Sequence, residues 1–463
     1  MKIGLINPNK GLKHPAVHLG LGYLASFARK NHPEVNFELI DTRVAKPKEL
    51  THFLNTSFDF IGITASSQVF LEAVEIANCL KKTHPQTLIC LGGSHVSTVK
   101  HEAIENPSFD FAVYGEGEQT FSELISYIKG NKELNEINGL IYRNSEGNIK
   151  TNPPRELIQD IDTIPFPEYD LFKMNRYPQH RLTTSRGCPF NCVFCNSHSI
   201  WTNKWRKRSA QNILNEIKIL DSKYKSKSIV FNDDSFNIDS KRVNKLCSDI
   251  INEKLDIIWS TSIRVDLITP EVAHLMKRSG CYNVSIGIES ANNNVLKQIN
   301  KHNTIEKISK GIDILREAEI DVMGQFMIGN PGDTLETIKE SIEFAKNSDL
   351  TGVEFYTALP YKDSLLYEFV QNKGKMLTNK ECYTFHTFNP RIVFETEDFS
   401  YADRLKAINL AVENGYYNAL SVDKKVFILD IGRSMAKFAQ KVFRGKLGNK
   451  IYLLLRNIYR KIS

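Results

Sequence analysis

Short apolar runs alternate with helix-like stretches along most of this 463-residue sequence, and this alternation restricts the fold more than any other feature. Between residue 1 and about residue 145, runs such as KIGLIN, FDFIGITA and TLICLGG are almost wholly apolar, which is typical of strands buried on both faces. Helical crossovers between such strands predict a doubly wound α/β domain, whose ligand binds at the carboxyl ends of the strands.

A second α/β unit is expected after a proline-rich stretch. Six further strand candidates, beginning with LTTSRG and ending with GVEFYTALP, alternate with helical patterns from residue 181 onward. Six successive β/α units favour a partial parallel barrel of the (β/α)6 type, with its chemistry on the loops that follow the strands. We therefore expect a domain at 1–145, a linker at 146–180, a barrel at 181–370, and a substrate-side and basic helical region at 371–463.

The composition and charge exclude several classes of protein. Apolar residues make up 41% and charged residues 24%, as in ordinary globular proteins, and no uncharged apolar run reaches the roughly 20 residues that span a bilayer. The net charge of +7 comes from the tail 423–463, which holds 11 Lys and Arg against 2 Asp. Without a distributed basic surface, no nucleic-acid partner is expected, and we predict a cytoplasmic enzyme.

Small and hydroxyl residues occur where the N-terminal strands should end. Glycine there lets a large ligand approach the backbone, although a structural turn explains such segments equally well. No GxGxxG follows the first strand, so an ordinary dinucleotide site is not predicted. The candidate binding residues at these strand ends are Ser66, Gly92, Gly93, Ser94, Gly115, Glu116 and Gly117.

Three cysteines crowd into one loop directly after the first barrel strand. Cys188, Cys192 and Cys195 would supply soft thiolate ligands, which select iron-sulfur clusters or zinc. Three cysteines leave one iron of a four-iron cubane open to a substrate, whereas a zinc site could use His198 as its fourth ligand. The spacing alone leaves both alternatives open.

The Cys-x3-Cys-x-aromatic-Cys pattern on a β/α barrel strongly resembles the radical S-adenosylmethionine superfamily. The resemblance implies a [4Fe-4S] cluster on the three cysteines, whose open iron chelates S-adenosylmethionine and whose electron releases a 5′-deoxyadenosyl radical. Phe194 matches the aromatic position near the adenine. The other matching positions lie in three strand-end loops and are expected to face this cofactor: Asp233, Asp234, Glu289, Gly329 and Gly332.

The first 145 residues also resemble the cobalamin-binding, Rossmann-like domain that precedes many radical S-adenosylmethionine enzymes. The resemblance rests on LGLGYLA at 19–25, on GGSH at 92–95 and on DFAVYGEGE at 110–118, in matching order and spacing. No Asp-x-His-x-x-Gly motif is present, so a lower axial histidine is not expected. His95 is interpreted as a satisfied turn residue rather than a cobalt ligand.

Together the two resemblances imply a cobalamin-dependent radical enzyme, with methyl transfer from methylcobalamin to an unactivated carbon as the leading hypothesis. A cyclase or an oxidative rearrangement enzyme is the main alternative, and a noncatalytic cobalamin or redox sensor is the alternative from another class. The expected partners are a small-molecule or lipid-linked substrate and a reducing protein such as flavodoxin or ferredoxin.

The C-terminal tail has a helical apolar pattern beside basic residues between about residues 426 and 459. Such a helix would lie at an anionic membrane surface or pack on the barrel with a solvated basic face, and the pattern favours neither. Peripheral contact with the inner membrane surface is therefore one of two equal hypotheses.

Overall fold

The computed structural model describes residues 1–8, 15–377 and 392–416. The N-terminal domain is a seven-stranded sheet with helices on both faces. Its elements are β1 (Lys2–Asn7), α1 (Leu19–Asn31), β2 (Asn36–Asp41), α2 (Pro47–Asn55), β3 (Phe60–Thr64), α3 (Phe70–Thr83), β4 (Leu88–Gly92), α4 (Ser94–Val99), β5 (Phe111–Val113), α5 (Glu118–Ile128), β6 (Leu140–Arg143) and β7 (Ile149–Thr151).

The strand order of this sheet is β2-β1-β3-β4-β5-β6-β7, and the first five strands are parallel. The chain crosses from one side of β1 to the other between β2 and β3, and such a switch point opens a crevice at the carboxyl ends of the strands. Every residue of β3 is buried, because α1 and α5 cover one face of the sheet and α3 covers the other. The predicted doubly wound domain is confirmed.

The sheet extends further than the sequence patterns indicated. β6 pairs antiparallel with β5, and β7 pairs antiparallel with β6, so the sheet continues to Thr151 inside the stretch predicted as a linker. The two strands are joined by the turn 144–148, in which the Asn148 and Gly147 amides donate to Asn144.

The rest of the proline-rich stretch is packed against both domains. On the N-terminal side, the Tyr177 hydroxyl donates to Asp41, 3.1 Å away, and Glu168 N donates to Gly22 O. On the barrel side, the Tyr169 hydroxyl donates to Glu216 at 2.7 Å. Buried side chains such as Tyr169 therefore fix this stretch against both domains.

The second domain is a six-stranded partial barrel with an outer layer of helices. Its strands follow the order β15-β14-β13-β12-β11-β8, and every pairing is parallel. Its elements are β8 (His180–Leu182), β9 (Ser185–Arg186), α6 (His198–Trp201), β10 (Arg206–Lys207), α7 (Ala210–Tyr224), β11 (Ser228–Phe231), α8 (Ser240–Asn252), β12 (Ile258–Ile263), α9 (Pro270–Arg278), β13 (Cys281–Glu289), α10 (Asn293–Gln298), α11 (Ile305–Glu317), β14 (Asp321–Ile328), α12 (Leu335–Asn347), β15 (Gly352–Thr357) and α13 (Leu365–Lys373).

Burial alternates along the barrel strands, as expected for a sheet with helices on its outer side. On β13, Val284, Ile286 and Ile288 are fully buried, whereas the intervening Ser285 and Gly287 are half-buried. The buried set packs against the helices, and the alternate set lines the lumen. The predicted partial barrel is confirmed.

After α13, the described chain continues as the antiparallel pair β16 (Gly374–Met376) and β17 (Phe394–Thr396), followed by α14 (Tyr401–Glu413). Helix α14 packs against α12 and β14. The basic tail with its two alternatives lies outside the described residues. None of the helices in the described ranges is both long and apolar enough to cross a membrane.

Candidate active site

A cavity of about 490 Å³ lies between the carboxyl ends of the N-terminal strands and the first strands of the barrel. Its barrel wall includes Arg181, Thr183, Asn232 and Asp234. Its N-terminal wall contains all seven residues predicted at the strand ends, namely Ser66, Gly92, Gly93, Ser94, Gly115, Glu116 and Gly117. Residues that are far apart in sequence thus face one shared space.

Two of these glycines leave room for a ligand against the backbone. A Cβ added to Gly92 or to Gly115 would meet no atom within 4 Å. Gly93 differs, because an added Cβ would meet Ala65 N at 2.9 Å, although Gly93 and Gly115 both have a left-handed φ, of +99° and +72°. Gly93 therefore permits the turn, whereas Gly92 and Gly115 form an open cradle.

The cavity continues as an apolar channel into the N-terminal domain. Between α1, α5 and the sheet it is lined by Leu21, Leu24, Gly62, Cys90 and Phe121. An open cradle of glycines above an apolar channel would fit a large ligand that inserts one arm into the domain, such as cobalamin.

The cysteine loop is held by backbone contacts on both sides. Gly187 starts it with a φ of +84°, and a Cβ there would overlap the carbonyl oxygen of Lys204, so glycine is required at this turn. Val193 then donates its amide to Ile299 O at 3.0 Å and accepts from Leu366 N at 2.9 Å. These bonds fix the loop before any cofactor binds.

Burial raises the pKa of the thiols of Cys188, Cys192 and Cys195, and it raises that of Cys195 to about 12. Lys301 and Arg264 oppose this effect at Cys192. Thiols of this kind lose their protons when metal binds, and two cations beside them compensate the negative charge of a thiolate-bound cluster. The donor set and its surroundings therefore fit an iron-sulfur cluster.

The alternative zinc site receives little support from His198. Its Nε2 contacts the carbonyl oxygen of Asp363. Within the described ranges, no three His, Cys, Asp or Glu side chains are gathered around one point that could hold a metal ion. The cysteine ligands of a cubane bind separate irons, so their sulfurs need not converge in that way.

Asp233 and Asp234 follow β11 but lie in different environments. Asp233 is buried and accepts hydrogen bonds from Thr184 N at 2.7 Å and from Ser185 Oγ at 2.7 Å, so it braces the chain that leads into the cysteine loop. Asp234 lines the cavity and accepts from Ser197 Oγ at 2.8 Å. Ser197 N in turn donates to Cys195 Sγ at 3.4 Å, which links the cavity wall to the cysteine loop.

Glu289 and Phe194 flank the same lysine. Glu289 ends β13 with a left-handed φ of +67° and pairs with Lys301 at 2.9 Å. The ammonium of Lys301 lies 6.0 Å from the centroid of the Phe194 ring. Because a left-handed φ is costly for a residue with a Cβ, the site holds Glu289 in a specific orientation.

The loop 329–333 is closed by its own carboxylate. Asp333 accepts from Gly329 N at 2.9 Å and from Asn330 N at 2.8 Å, and burial raises its pKa to about 7. A Cβ on Gly329 would overlap Arg404 of α14, and one on Gly332 would overlap the side-chain amide of Gln298. The space beside both glycines is therefore filled by protein.

His95 lies in helix α4 and not in a turn, which corrects the sequence interpretation. Its Nδ1 is 3.0 Å from Ser67 Oγ, and its ring stacks on Phe70 with the centroids 4.0 Å apart. Burial lowers its pKa to about 4, so the imidazole is neutral and satisfied within the protein.

Buried ion pairs join the two domains beside the cavity. Glu116 binds Arg186 and also Arg206, at 2.9 Å, and Glu118 binds Arg186 at 2.6 Å. All four side chains are at most 8% exposed. Glu116 therefore serves the domain interface even though it lines the cavity.

The barrel lumen contains polar residues that sequence reasoning missed. Tyr356 of β15 donates to Glu354 on the same strand face and also contacts Gln325 of the neighbouring β14. Arg264, after β12, stacks on Phe190 of the cysteine loop at 3.8 Å. The available signal was the alternation of the polar Gln325, Glu354 and Tyr356 with the buried Phe326 and Phe355.

The fold and the site define an enzyme in which a strand-end ligand cradle and Gly187, the residue that starts the three-cysteine loop, line one cavity. Residues 182–345 match the family model of the Radical SAM superfamily, and residues 12–125 match that of the B12 binding domain.

Named relatives agree with these matches. An uncharacterized methyltransferase of Pyrococcus horikoshii is 34% identical over 442 residues, which cover 93% of each chain. The anaerobic magnesium-protoporphyrin IX monomethyl ester cyclase of Rubrivivax gelatinosus is 28% identical over 71% of this chain and 61% of its own. The structure of the radical S-adenosylmethionine methyltransferase TsrM from Kitasatospora setae shares the fold, with a TM-score of 0.72, 18% identity and 91% coverage of both chains.

The chain belongs to the radical S-adenosylmethionine enzymes that carry an N-terminal B12-binding domain. The predictions of an enzyme of this family, and of its cofactors S-adenosylmethionine, a [4Fe-4S] cluster and cobalamin, are confirmed. Enzymes of this kind use a small-molecule substrate and a reductant.

Proposed function

We propose that this enzyme transfers a methyl group to an unactivated carbon of a small molecule. The observation that carries the proposal is the shared cavity, because it joins the open glycine cradle of the B12-binding domain to the barrel wall beside the start of the cysteine loop. A radical reaction that uses two cofactors requires both of them to reach one substrate.

When bound, the cluster and S-adenosylmethionine supply a 5′-deoxyadenosyl radical, and cobalamin supplies a transferable methyl group. In this proposal Cys188, Cys192 and Cys195 hold the cluster, and Lys301 and Arg264 balance its charge. Asp234 and Glu289 are carboxylates that can accept hydrogen bonds from the ammonium and hydroxyl groups of S-adenosylmethionine, with Phe194 beside its adenine.

The remaining predicted residues are assigned to two separate cofactor sites. Gly92, Gly93, Ser94, Gly115 and Gly117, together with Ser66, form the proposed cobalamin cradle. Asp233, Gly329 and Gly332 are proposed to shape the S-adenosylmethionine site from behind, since their neighbours are protein groups.

Cyclisation is the second candidate, because the relative from Rubrivivax gelatinosus is named as a cyclase and covers most of this chain. Cyclisation would use the same radical but would leave no new methyl group on the product. The finer partners are also proposals: a flavodoxin or ferredoxin as the reductant, and a lipid-linked substrate if the basic tail contacts a membrane.

The first experiment tests the cofactors. The full chain, purified without oxygen and reconstituted with iron, sulfide and cobalamin, should show an iron-sulfur absorption band and retain cobalamin. The Cys188→Ala, Cys192→Ala, Cys195→Ala triple variant should lose the band and all cleavage of S-adenosylmethionine to 5′-deoxyadenosine, yet keep cobalamin. Zinc without iron in the reconstituted wild-type protein would contradict the proposal.

The second experiment separates methyl transfer from its alternatives. S-adenosylmethionine with a deuterated methyl group is incubated with the loaded enzyme, a reductant and a small-molecule extract. Methyl transfer adds the labelled group to one product, whereas cyclisation forms 5′-deoxyadenosine without labelling a product. Binding of S-adenosylmethionine without any cleavage would favour the sensor.

A further inference from the structure

Among the described residues, Arg181 stands out at the inter-domain cavity because its guanidinium has no partner there. It lies in the middle of β8, next to Val230 of β11, and its side chain lines the cavity. In the part of the chain that the structure describes, its guanidinium forms no hydrogen bond and no ion pair. Burial lowers the pKa of Arg181, and no neighbouring carboxylate offsets this effect.

Arg181 is half-buried, and the buried arginines near this region are all paired with carboxylates. Arg186 and Arg206 bind Glu116, Arg208 binds Glu216, and Arg242 approaches Asp233 at 3.9 Å. A desolvated charge without such a partner costs free energy in the folded protein. The environment of Arg181 is therefore typical of a residue that binds an anionic ligand.

The amino end of α1 brings a second positive field to the same cavity. Leu19 and Gly20, the first two residues of this 13-residue helix, line the cavity, and its first turn contains no acidic residue. Among the described residues, no acceptor receives a hydrogen bond from the amides of Leu19 and Gly20. Free amides at a helix amino end attract anions.

His18 connects these two features without competing for the anion. Its Nδ1 accepts from Leu21 N at 3.2 Å, and its Nε2 lies 3.3 Å from Thr64 Oγ1. Burial lowers the pKa of His18; nearby Asp41 raises it, and nearby Arg181 lowers it further. His18, Leu19, Gly20 and Arg181 all line the cavity, so the guanidinium and the start of α1 face the same space.

We propose that Arg181 and the amino end of α1 together bind the phosphodiester of the nucleotide arm of cobalamin. The inference rests on the proposed function, because it takes cobalamin as the occupant of this cavity. The amide side chains of the corrin are neutral, so the phosphodiester is the group of cobalamin that an arginine and free helix amides select. One contact comes from each domain, and the arm is thereby held across the interface.

The test compares the wild-type protein with three variants, using two ligands. Affinities of the wild-type protein and of Arg181→Gln are measured by absorbance titration with hydroxocobalamin and with diaquocobinamide, which lacks the phosphodiester and its base. Loss of a charge-assisted contact should weaken hydroxocobalamin binding about ten- to a hundredfold, whereas cobinamide binding should change by less than about twofold. Arg181→Lys should recover part of the affinity, and Arg29→Gln, at a half-exposed arginine of α1, should leave both affinities unchanged.

Thermal unfolding of the cofactor-free protein separates this role from a structural one. Because Arg181 is desolvated without a partner, Arg181→Gln should keep or raise Tm; a lowered Tm would indicate a structural role and contradict the proposal. Unchanged hydroxocobalamin affinity, or an equal loss for both ligands, would overturn the inference. A loss of S-adenosylmethionine affinity alone would overturn it and assign Arg181 to a carboxylate of that ligand. If the wild-type protein binds neither corrinoid, the proposed function itself fails.

Discussion

At the N-terminal strand ends, a Cβ added to Gly92 or Gly115 would meet open space, whereas in the barrel loop 329–333 a Cβ on Gly329 would overlap the guanidinium of Arg404. Both segments are glycine-rich ends of parallel strands, and their sequences suggest the same use. The first pair of glycines leaves room for a ligand. The glycines of the second loop leave room for neighbouring side chains of the protein. Glycine is therefore needed in one region for ligand binding and in the other for packing.

The largest effect that separates the two regions is expected for Gly329→Ala. Its φ of +106° disfavours any Cβ, and Arg404 cannot easily move, because its Nε donates to Phe399 O and its guanidinium stacks on Phe394 at 4.1 Å. We expect unfolding in urea to show a loss of about 3 kcal/mol. Gly332→Ala, which meets the flexible end of Gln298, should lose only about 1 to 2 kcal/mol; equal losses would contradict the packing explanation.

A smaller effect on the free energy of unfolding is expected from the titration of Asp333 in the same barrel loop. The folded-state pKa of Asp333 is about 7, raised by burial from an ordinary value of 3.8. Between these values the unfolded chain releases a proton that the folded protein keeps, so this residue makes stability fall as pH rises from about 4 to about 7 and contributes no further change above that.

Asp333→Asn should remove this contribution. Relative to the wild-type protein, the variant should gain up to about 1.4 kcal/mol of unfolding free energy per pH unit within that window, in addition to a constant loss from the altered hydrogen bonds. Urea unfolding at several pH values measures the difference. Parallel pH profiles for the two proteins would show that Asp333 titrates normally.

The smallest effect on stability is expected for Gly92→Ala. Because an added Cβ meets no atom, the free energy of unfolding should change by less than about 0.5 kcal/mol. Cobalamin affinity should nevertheless fall severalfold, since the methyl group occupies the cradle. Gly329→Ala is the matched control, with lowered stability but unchanged cobalamin affinity under conditions where it is folded. The comparison fails if Gly92→Ala binds cobalamin as the wild-type protein does.

Much of the architecture was predictable because it depends on local periodicity. The apolar runs that became β1, β3 and β4, and most of the strand candidates of the barrel, have patterns typical of buried parallel strands, whereas the first barrel candidate overlaps β8 only at Leu182. The hairpin of β6 and β7 was missed because these strands have only four and three residues. The turn residues Asn144, Gly147 and Asn148 were the feature of the sequence that indicates this hairpin.

The site was predictable where neighbouring residues share a function and unpredictable where distant chain segments meet. The three cysteines lie within eight residues, and their chemistry is intrinsic to the side chains. Asp233 and Asp234 look equivalent in sequence, but only packing decides which carboxylate accepts bonds from Thr184 and which lines the cavity. Arg181 was missed because a charge without a partner among the described residues is recognised only from the folded structure.

The buried ion pairs that link Glu116 and Glu118 to Arg186 and Arg206 bear on attempts to recombine this enzyme with its relatives. A chimera that joins one domain to a foreign partner without the matching charges would bury unpaired ions, at a cost of about 3 to 5 kcal/mol for each broken pair. A domain should therefore be exchanged together with the charged residues of the other domain that pair with it. Joining foreign domains at the proline-rich stretch alone would leave these charges unpaired.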